Sequence, residues 1–521
     1  MSVSGEHLLE LLGERTDLGH KTRNRSFLRQ LKLLLGSPGT SLPQAAGKTS
    51  KKTSGKGSFA MTDLTSLYRF AKNEQIPTDE LRRIRAHAVL DAYPEVFEIA
   101  VLHDMSPLDF SKQNAKSDRR PIGDGRGMGY EYVSCVALDP RTSELMGVLH
   151  DTVINSEGPD DAGTMDYDYE PLFEDFSEEE KQRLRENHRH QMAVHVNGLS
   201  PLLENRHAIH VADREFDDIF VMDCCIEGGA DFVIRSMANR NVQTPHGGWI
   251  PQEALTDKQA GHPPEPGWDR VHLNRLVQAV PLQPYKELPL DKRGRVTDPR
   301  RAARVAHLSI GTCPVRLYRQ AKRNDRYFKP PRVIRLNRVV IRETAPPPGV
   351  EPLCWVLFTT LPVDTPEQLA YIGHLYELRW KIEDYFKLLK TGYKIESQRF
   401  FDAPKTAKLL LLLSLASMTL FQLKKELGLP SGGYLDEDNY QKLKHATCEI
   451  DNPEIDLKWR LLAYIAKSGG WLGRKNDPLG PTILMRGWLE VAATLDAAVR
   501  HAPLIREVAE NPDLLRSLIC V

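Results

Sequence analysis

The segment from Tyr376 to Lys390, YELRWKIEDYFKLLK, constrains this chain more than any other, because its letters suit a helix with two unlike sides. At about 100° per residue, Tyr376, Arg379, Glu383 and Lys390 fall within an arc of about 60°, with Lys387 close beside them. Leu375, Ile382, Phe386 and Leu389 make the neighbouring apolar stripe. Such a helix is expected to bury its aliphatic side and present one carboxylate, flanked by a phenol, a guanidinium and an ammonium, to something anionic. The plainer reading is a surface helix laced with i,i+4 ion pairs.

Two more carboxylates stand where apolar runs give way to polar residues. HAIHVADREFDDIF reads as a short strand ending at Asp213, followed by a turn and a helix start, and EIAVLHDMSPLDF as a strand running into Asp104. Alone, an Asp at a strand end is more often a cap or turn residue. Asp109 is the first substitute for Asp104. Oxygen ligands from several separate elements are what two divalent cations need to clamp an in-line phosphoryl displacement.

The spacing Y-x2-R-x3-E-x6-K, with TGYKIESQRF after it, resembles the signature of the insertion-sequence family four transposases, the hairpin-forming cut-and-paste enzymes of the DDE, RNase H-like class. ADREFD resembles the family's D-R-E-A-D block, and D-x-S-x-L-x-F from Asp104 resembles its first-Asp motif. The resemblance implies that Asp104, Asp213 and Glu383 are the catalytic acids and hold two Mg2+ ions, with Mn2+ able to substitute. It implies DNA contacts for Tyr376, Arg379, Lys390 and Arg214. Arg235, closing the run FVIRS, resembles a family arginine near the cleaved DNA; its structural alternative is a strand-end ion pair. Trp355 sits at the family position of a tryptophan on which a flipped base stacks, whereas a Trp in an apolar strand is otherwise a core residue.

Lys plus Arg equals Asp plus Glu at 70 each, so any DNA-binding surface must come from how charge is distributed. Between Leu18 and Met61 there is no acid, while Lys21, Arg23, Arg25, Arg29, Lys32, Lys48, Lys51, Lys52 and Lys56 all fall there. That arm is a candidate phosphate-neutralising surface, and Arg23, Arg25 and Arg29 are its candidate DNA contacts. The stretch from Glu157 to Glu180 is densely acidic and is expected to face away from DNA or to oppose loose binding to it. Seven cysteines are scattered without paired spacing, which suggests neither a structural zinc site nor a disulfide framework. The apolar run around Leu409 to Phe421 contains Ser and Thr and is too short to span a bilayer. A cytoplasmic, nucleoid-associated bacterial protein is expected.

The expected architecture is α/β: an RNase H-like mixed sheet with flanking helices, a β-rich insertion between the second and third acids, and helical domains at both ends. Residues 1–95 are expected to form a helical end-recognition domain with a Ser, Gly and Lys-rich linker at about 40–57. His20 departs from the acidic residue usual in the family there. Residues 96–400 are the expected catalytic core, interrupted at about 237–348 by RVHLNRLVQAV, RVAHLSIGT, VRLYR and VIRLNRVVIRE, which read as strands of a sheet with one cationic face. Residues 401–521 are expected to be helical and, by the resemblance, to join two subunits. The resemblance extends through Gly469-Gly470-Trp471 to Trp488 and covers essentially the whole chain.

The function expected is DNA transposition by a homodimer that binds terminal inverted repeats and target DNA, with strand cleavage, hairpin formation and strand transfer. An RNase H-like nuclease or resolvase would use the same acids without strand transfer. An inactive DNA-binding relative would have no need of three acids. Glycosidases also pair carboxylates, but the cations around Glu383 favour a phosphate substrate.

Overall fold

The computed structural model describes residues 5–35, 59–114, 116–123, 127–155, 188–236, 240–247, 250, 252, 255, 266–290, 304–319, 322–323, 328–329, 332–398, 402–426, 435–474, 479–480, 482–487 and 490–491. The expected linker at 40–57, the acidic stretch at 157–180 and Trp488 lie outside the described residues. The chain divides into two compact units: Met1–Ala88 with Glu383–Val521, and Val89–Ile382.

The chain opens with helices α1 (Gly5–Arg15), α2 (Lys21–Leu35), α3 (Phe59–Lys72) and α4 (Thr78–Asp91). Phe27, Leu31 and Leu34 of α2 are buried, with Leu8 and Leu12 of α1 beside them in the same unit. Spaced four, four and three residues apart, Lys21, Arg25, Arg29 and Lys32 all lie on the exposed side of α2.

A mixed sheet follows. Strands β1 (Glu98–Asp109), β2 (Arg120–Ile122), β3 (Gly127–Asp139) and β4 (Glu144–Ile154) pair antiparallel, with β3 against both β1 and β4. Beyond helix α5 (His188–Leu203), β5 (His207–Ala212) joins β1 in parallel, and beyond α6 (Ile219–Glu227), β6 (Asp231–Arg235) joins β5 in parallel. Ile99, Ala100, Val101 and Leu102 are fully buried, as a central strand covered on both faces requires. Three antiparallel strands continued by two parallel ones, with helices alongside, are consistent with an RNase H-like DDE domain.

The segment expected to be an insertion does not form a separate sheet. β7 (Asn241–Pro245), β8 (Trp268–His272), β9 (Gln283–Leu290), β10 (Arg304–Arg319) and β13 (Arg332–Glu343) extend the same twelve-stranded sheet through β14 (Cys354–Thr359), which pairs with β6; β11 (Lys322–Arg323) and β12 (Phe328–Lys329) make a small ribbon of their own. Two expectations need correction here. RVHLNRLVQAV is a strand only to His272; helix α7 (Leu273–Ala279) follows, because Leu273, Leu276 and Val277 bury one helical face. Nor does β13 keep a clean cationic face. Arg335 is exposed, but Arg338 is fully buried between its ladder partners Cys313 and Phe358. No hydrogen-bond partner of the Arg338 guanidinium lies among the described residues.

Helix α8 (Pro366–Leu378) starts with a capping box between Thr365 and Gln368 and a proline in its first turn. It is short. Arg379 N bonds to Tyr376 O and Trp380 N to Glu377 O, tight i to i+3 turns, before α9 (Lys381–Lys387) begins. The single helix expected from Tyr376 to Lys390 is therefore broken at Arg379 and Trp380. Of the expected polar arc, Tyr376 and Arg379 are buried, Lys390 is half-buried and Glu383 is exposed, while Leu375, Ile382, Phe386 and Leu389 are buried as expected. A π-helical turn, Leu388–Gly392, follows α9.

The helical unit continues with α10 (Ala403–Glu426), α11 (Glu437–Cys448) and α12 (Leu457–Ser468). The apolar run Ala403–Phe421 of α10 is 78% buried, the pattern of a core helix. Arg85, fully buried, donates to Ser414 Oγ at 2.9 Å, and Lys408 Nζ donates to Asn73 O at 2.6 Å. Tyr440 and Trp471 meet edge to face at 6.3 Å, and Gly470 takes φ +87° just before that tryptophan.

Candidate active site

The parallel register of β1 and β5 ends with His103 opposite Ala212, so the next residues on the two strands are Asp104 and Asp213. β1 does not stop there. It runs on to Asp109 against β3, and Asp104 pairs with Ser134, so this acid sits within the strand rather than at its end. Asp213 leaves β5 and caps a 3₁₀ turn, Arg214–Phe216, accepting from Arg214 N. Both carboxylates meet one guanidinium. Arg379 Nη1 donates to Asp104 Oδ2 at 2.7 Å, and Arg379 Nη2 lies 3.5 Å from Asp213 Oδ2.

Burial makes this arrangement consequential: Arg379 is only 6% exposed, so its charge needs those two partners. Asp109, the alternative to Asp104, is exposed and accepts from Ser111 N and Oγ at 2.8 and 2.6 Å, a turn residue. Tyr376, 1% exposed, has its hydroxyl beside Arg235. Burial pushes the phenol pKa up, with Arg235 and Arg379 pulling it back down and Asp213 adding to the rise. Trp355 is 6% exposed in β14 and meets the Tyr376 ring edge-on at 5.4 Å. Its core packing and its neighbourhood with Tyr376 are both real.

Arg214 is exposed and Arg235 half-buried. In the helical unit, Glu383 lies exposed in the first turn of α9, and Lys390, half-buried in the π turn, stands 3.8 Å from Glu396. Arg23 is tied to Leu18 O at 3.0 Å and to Gln75, whereas Arg25 and Arg29 belong to the exposed stripe of α2.

Several supporting groups escaped the sequence reading. Asp217, four residues after Asp213 in the same block, pairs with Arg240 at 2.8 Å and accepts from Ser236 Oγ, anchoring the chain just beyond Arg235. β9 holds α8: Tyr285 Oη donates to Ala370 O at 3.2 Å, and Lys286 pairs with Glu377 at 2.5 Å. At the far edge of the parallel strands, His207 bridges Glu98 and Asp231 at 2.8 Å each, and the Tyr371 hydroxyl of α8 donates to Glu98. The alternation of strand residues leaves a buried histidine cluster behind Asp104, where burial pushes His103 well below the usual imidazole range and His210 down to about 4.

Residues 185–419 match the family described as the transposase DDE domain. The match supports a DDE transposase. The matched segment contains Asp213, Arg235, Trp355, Tyr376, Arg379, Glu383 and Lys390; Asp104 stands upstream of it and is joined to it through Arg379. DDE domains generally use divalent metal ions, act on DNA and carry out transposition and recombination. The donor set here suits that use: hard carboxylate oxygens in a position that already favours a cation.

Proposed function

We propose that the chain is a cut-and-paste transposase of the insertion-sequence family four type, cleaving the terminal inverted repeats of its element through a hairpin and joining them to target DNA. The observation that carries this reading is the sharing of one guanidinium by Asp104 and Asp213, the residues next in register on the adjacent parallel strands β1 and β5. Two carboxylates aimed at one point repel each other unless a cation lies between them, an arrangement that gives a merely structural turn nothing.

In this reading Glu383 completes the set with Asp104 and Asp213, and the three hold Mg2+, or Mn2+ in its place. Bound there, divalent ions supply charge neutralisation for the entering and leaving oxygens of a phosphodiester. The chain's own side chains position the DNA. Arg379 would exchange its carboxylate partners for a phosphate, a fork geometry suited to both. Tyr376 and Arg235, already in contact, would hold a second phosphate oxygen by phenol and guanidinium, with Lys390 and Arg214 adding charge. Trp355 would offer its indole face to an extruded base, which requires the packing against Tyr376 to open when DNA binds.

The α2 stripe would recognise the element ends, and the C-terminal helices would join two copies into the synaptic homodimer. The setting is the bacterial nucleoid. Incubation with Mg2+ and DNA carrying the inverted repeats that flank the gene tests the reading. Hairpin-ended fragments on a denaturing gel, followed by joining to target DNA, are expected. Nicks without hairpin or joining would favour a nuclease, and no metal-dependent cutting of any substrate would overturn the enzyme reading.

A further inference from the structure

The back of the strand that carries Asp104 has its own chemistry. His103 and Cys135 face each other in the β1–β3 ladder, and His195 of α5 closes over them. All three are fully buried. Their ligand atoms lie within 4.8 Å of one another. His103 Nε2 is hydrogen-bonded to His210 Nδ1 at 2.8 Å, and His195 Nε2 to Thr152 Oγ1 at 3.1 Å. Nδ1 of His103 is buried and has no hydrogen-bond partner among the described residues.

We propose that His103, Cys135 and His195 form a structural zinc site. A buried imidazole nitrogen with nothing to bond to is costly, about 1–3 kcal/mol, and natural cores rarely leave one. A metal ion is the partner that this position lacks. The donors are two imidazoles and one thiol, the set that selects Zn2+ over the oxygen-seeking Mg2+. With Zn–N near 2.0 Å and Zn–S near 2.3 Å, tetrahedral donors stand roughly 3.3–3.6 Å apart, so the trio needs to contract by at most about 1.5 Å. The Nε2 atoms of both imidazoles are already held, by His210 and Thr152, which leaves their Nδ1 atoms for an ion, as ligating histidines usually hold their other nitrogen. His150, its ring centroid 4.4 Å from that of His195, lies beside the trio but outside its 4.8 Å reach, so it would have to move inward to serve as a fourth donor.

Cys135 would bind as the thiolate, its proton passing to solvent as the metal enters during folding. The site would cross-link β1, β3 and α5 directly beneath Asp104. No spacing rule reveals it, because its ligands come from three elements spread over residues 103–195, and zinc there would reverse the expectation of no structural zinc. It does not depend on the transposase reading.

The test uses the full chain expressed with zinc and, separately, with cobalt in the medium. About one zinc per chain should survive gel filtration in Mg2+ buffer. The cobalt form should show a near-ultraviolet thiolate-to-cobalt band and the visible bands of tetrahedral cobalt. Cys135→Ser should lose the near-ultraviolet band, while Cys448→Ser and Asp213→Asn keep it. X-ray absorption on the unmutated zinc protein guards against a variant that fails to fold: one sulfur and at least two nitrogen neighbours are expected. Absence of stoichiometric metal, an all-oxygen shell, or a charge-transfer band that survives Cys135→Ser overturns the proposal.

Discussion

Arg379 donates to Asp104 at 2.7 Å, so a permanent cation already occupies the point on which Asp104 and Asp213 converge. An added cation must displace or share with it. Arg379→Ala should therefore tighten Mn2+ binding by about tenfold, a gain of roughly 1.4 kcal/mol, while cutting DNA cleavage by about 100-fold or more through loss of a phosphate ligand. Isothermal titration against the two proteins reads the first effect. Unchanged or weaker Mn2+ binding in the variant would show that the guanidinium does not compete.

Asp104 and Asp109 separate cleanly in the structure, and so should their variants. Asp104→Ala is expected to abolish cleavage, by on the order of 10³-fold or more, with end binding retained. Asp109→Ala removes the turn contacts to Ser111 and should cost about 1 kcal/mol of stability with near-normal cleavage. The reverse pattern in a cleavage assay would transfer the role to Asp109.

The exposed stripe of α2 predicts a salt signature. Each phosphate-neutralising cation contributes about 0.9 to the slope of log affinity against log salt, so Arg25→Ala with Arg29→Ala should flatten it by about 2. Arg23→Ala, which breaks the ties to Leu18 and Gln75, should lower the melting temperature more than it changes that slope. Gel shifts across a salt series decide it; an unaltered slope in the double variant would remove α2 from the DNA interface.

His207 predicts a pH dependence. Its partial burial disfavours the charged form, but Asp231 and Glu98 outweigh that, and the pKa is raised above the ordinary 6.5. A raised folded-state pKa stabilises fully below the unfolded value and progressively less as pH climbs through the folded one. The stability advantage over His207→Gln should thus be greatest below about pH 6.5 and fade at alkaline pH. A denaturation series in which the difference grows with pH would contradict it.

Trp355→Ala empties a nearly sealed site beside Tyr376 and should cost about 3–5 kcal/mol by urea denaturation. Trp355→Phe keeps a stacking face and most of the packing, so it should impair hairpin formation more than the first nick. Equal loss of both steps would leave Trp355 a core residue only.

What could be read from the letters was what local pattern controls. Apolar runs marked β5 and β6 almost to the residue and the start of β1 but not its continuation to Asp109, and the two acids that meet Arg379 stood where those runs turned polar. The break at Arg379 and Trp380 was not legible, because every residue from Tyr376 to Lys387 tolerates a helix and only tertiary pairing turns Arg379 toward the acids. The helix at Leu273–Ala279 hid behind β-branched neighbours. Arg338 looked like one more cation of a polar face, and only the sheet's continuation past it buries that position. The clasp of Tyr285 and Lys286 joins residues about 90 positions apart, a separation that no periodicity reports.

That clasp has a mechanical meaning. Gly373 lies so close to Tyr285 that an added Cβ would stand 2.7 Å from the hydroxyl, and Lys286 grips Glu377 one helical turn further on, two residues before Arg379. Strand β9, paired with β10, therefore holds α8 at two points, which fixes the rotation of that helix about its own axis and with it the direction in which Arg379 leaves its end.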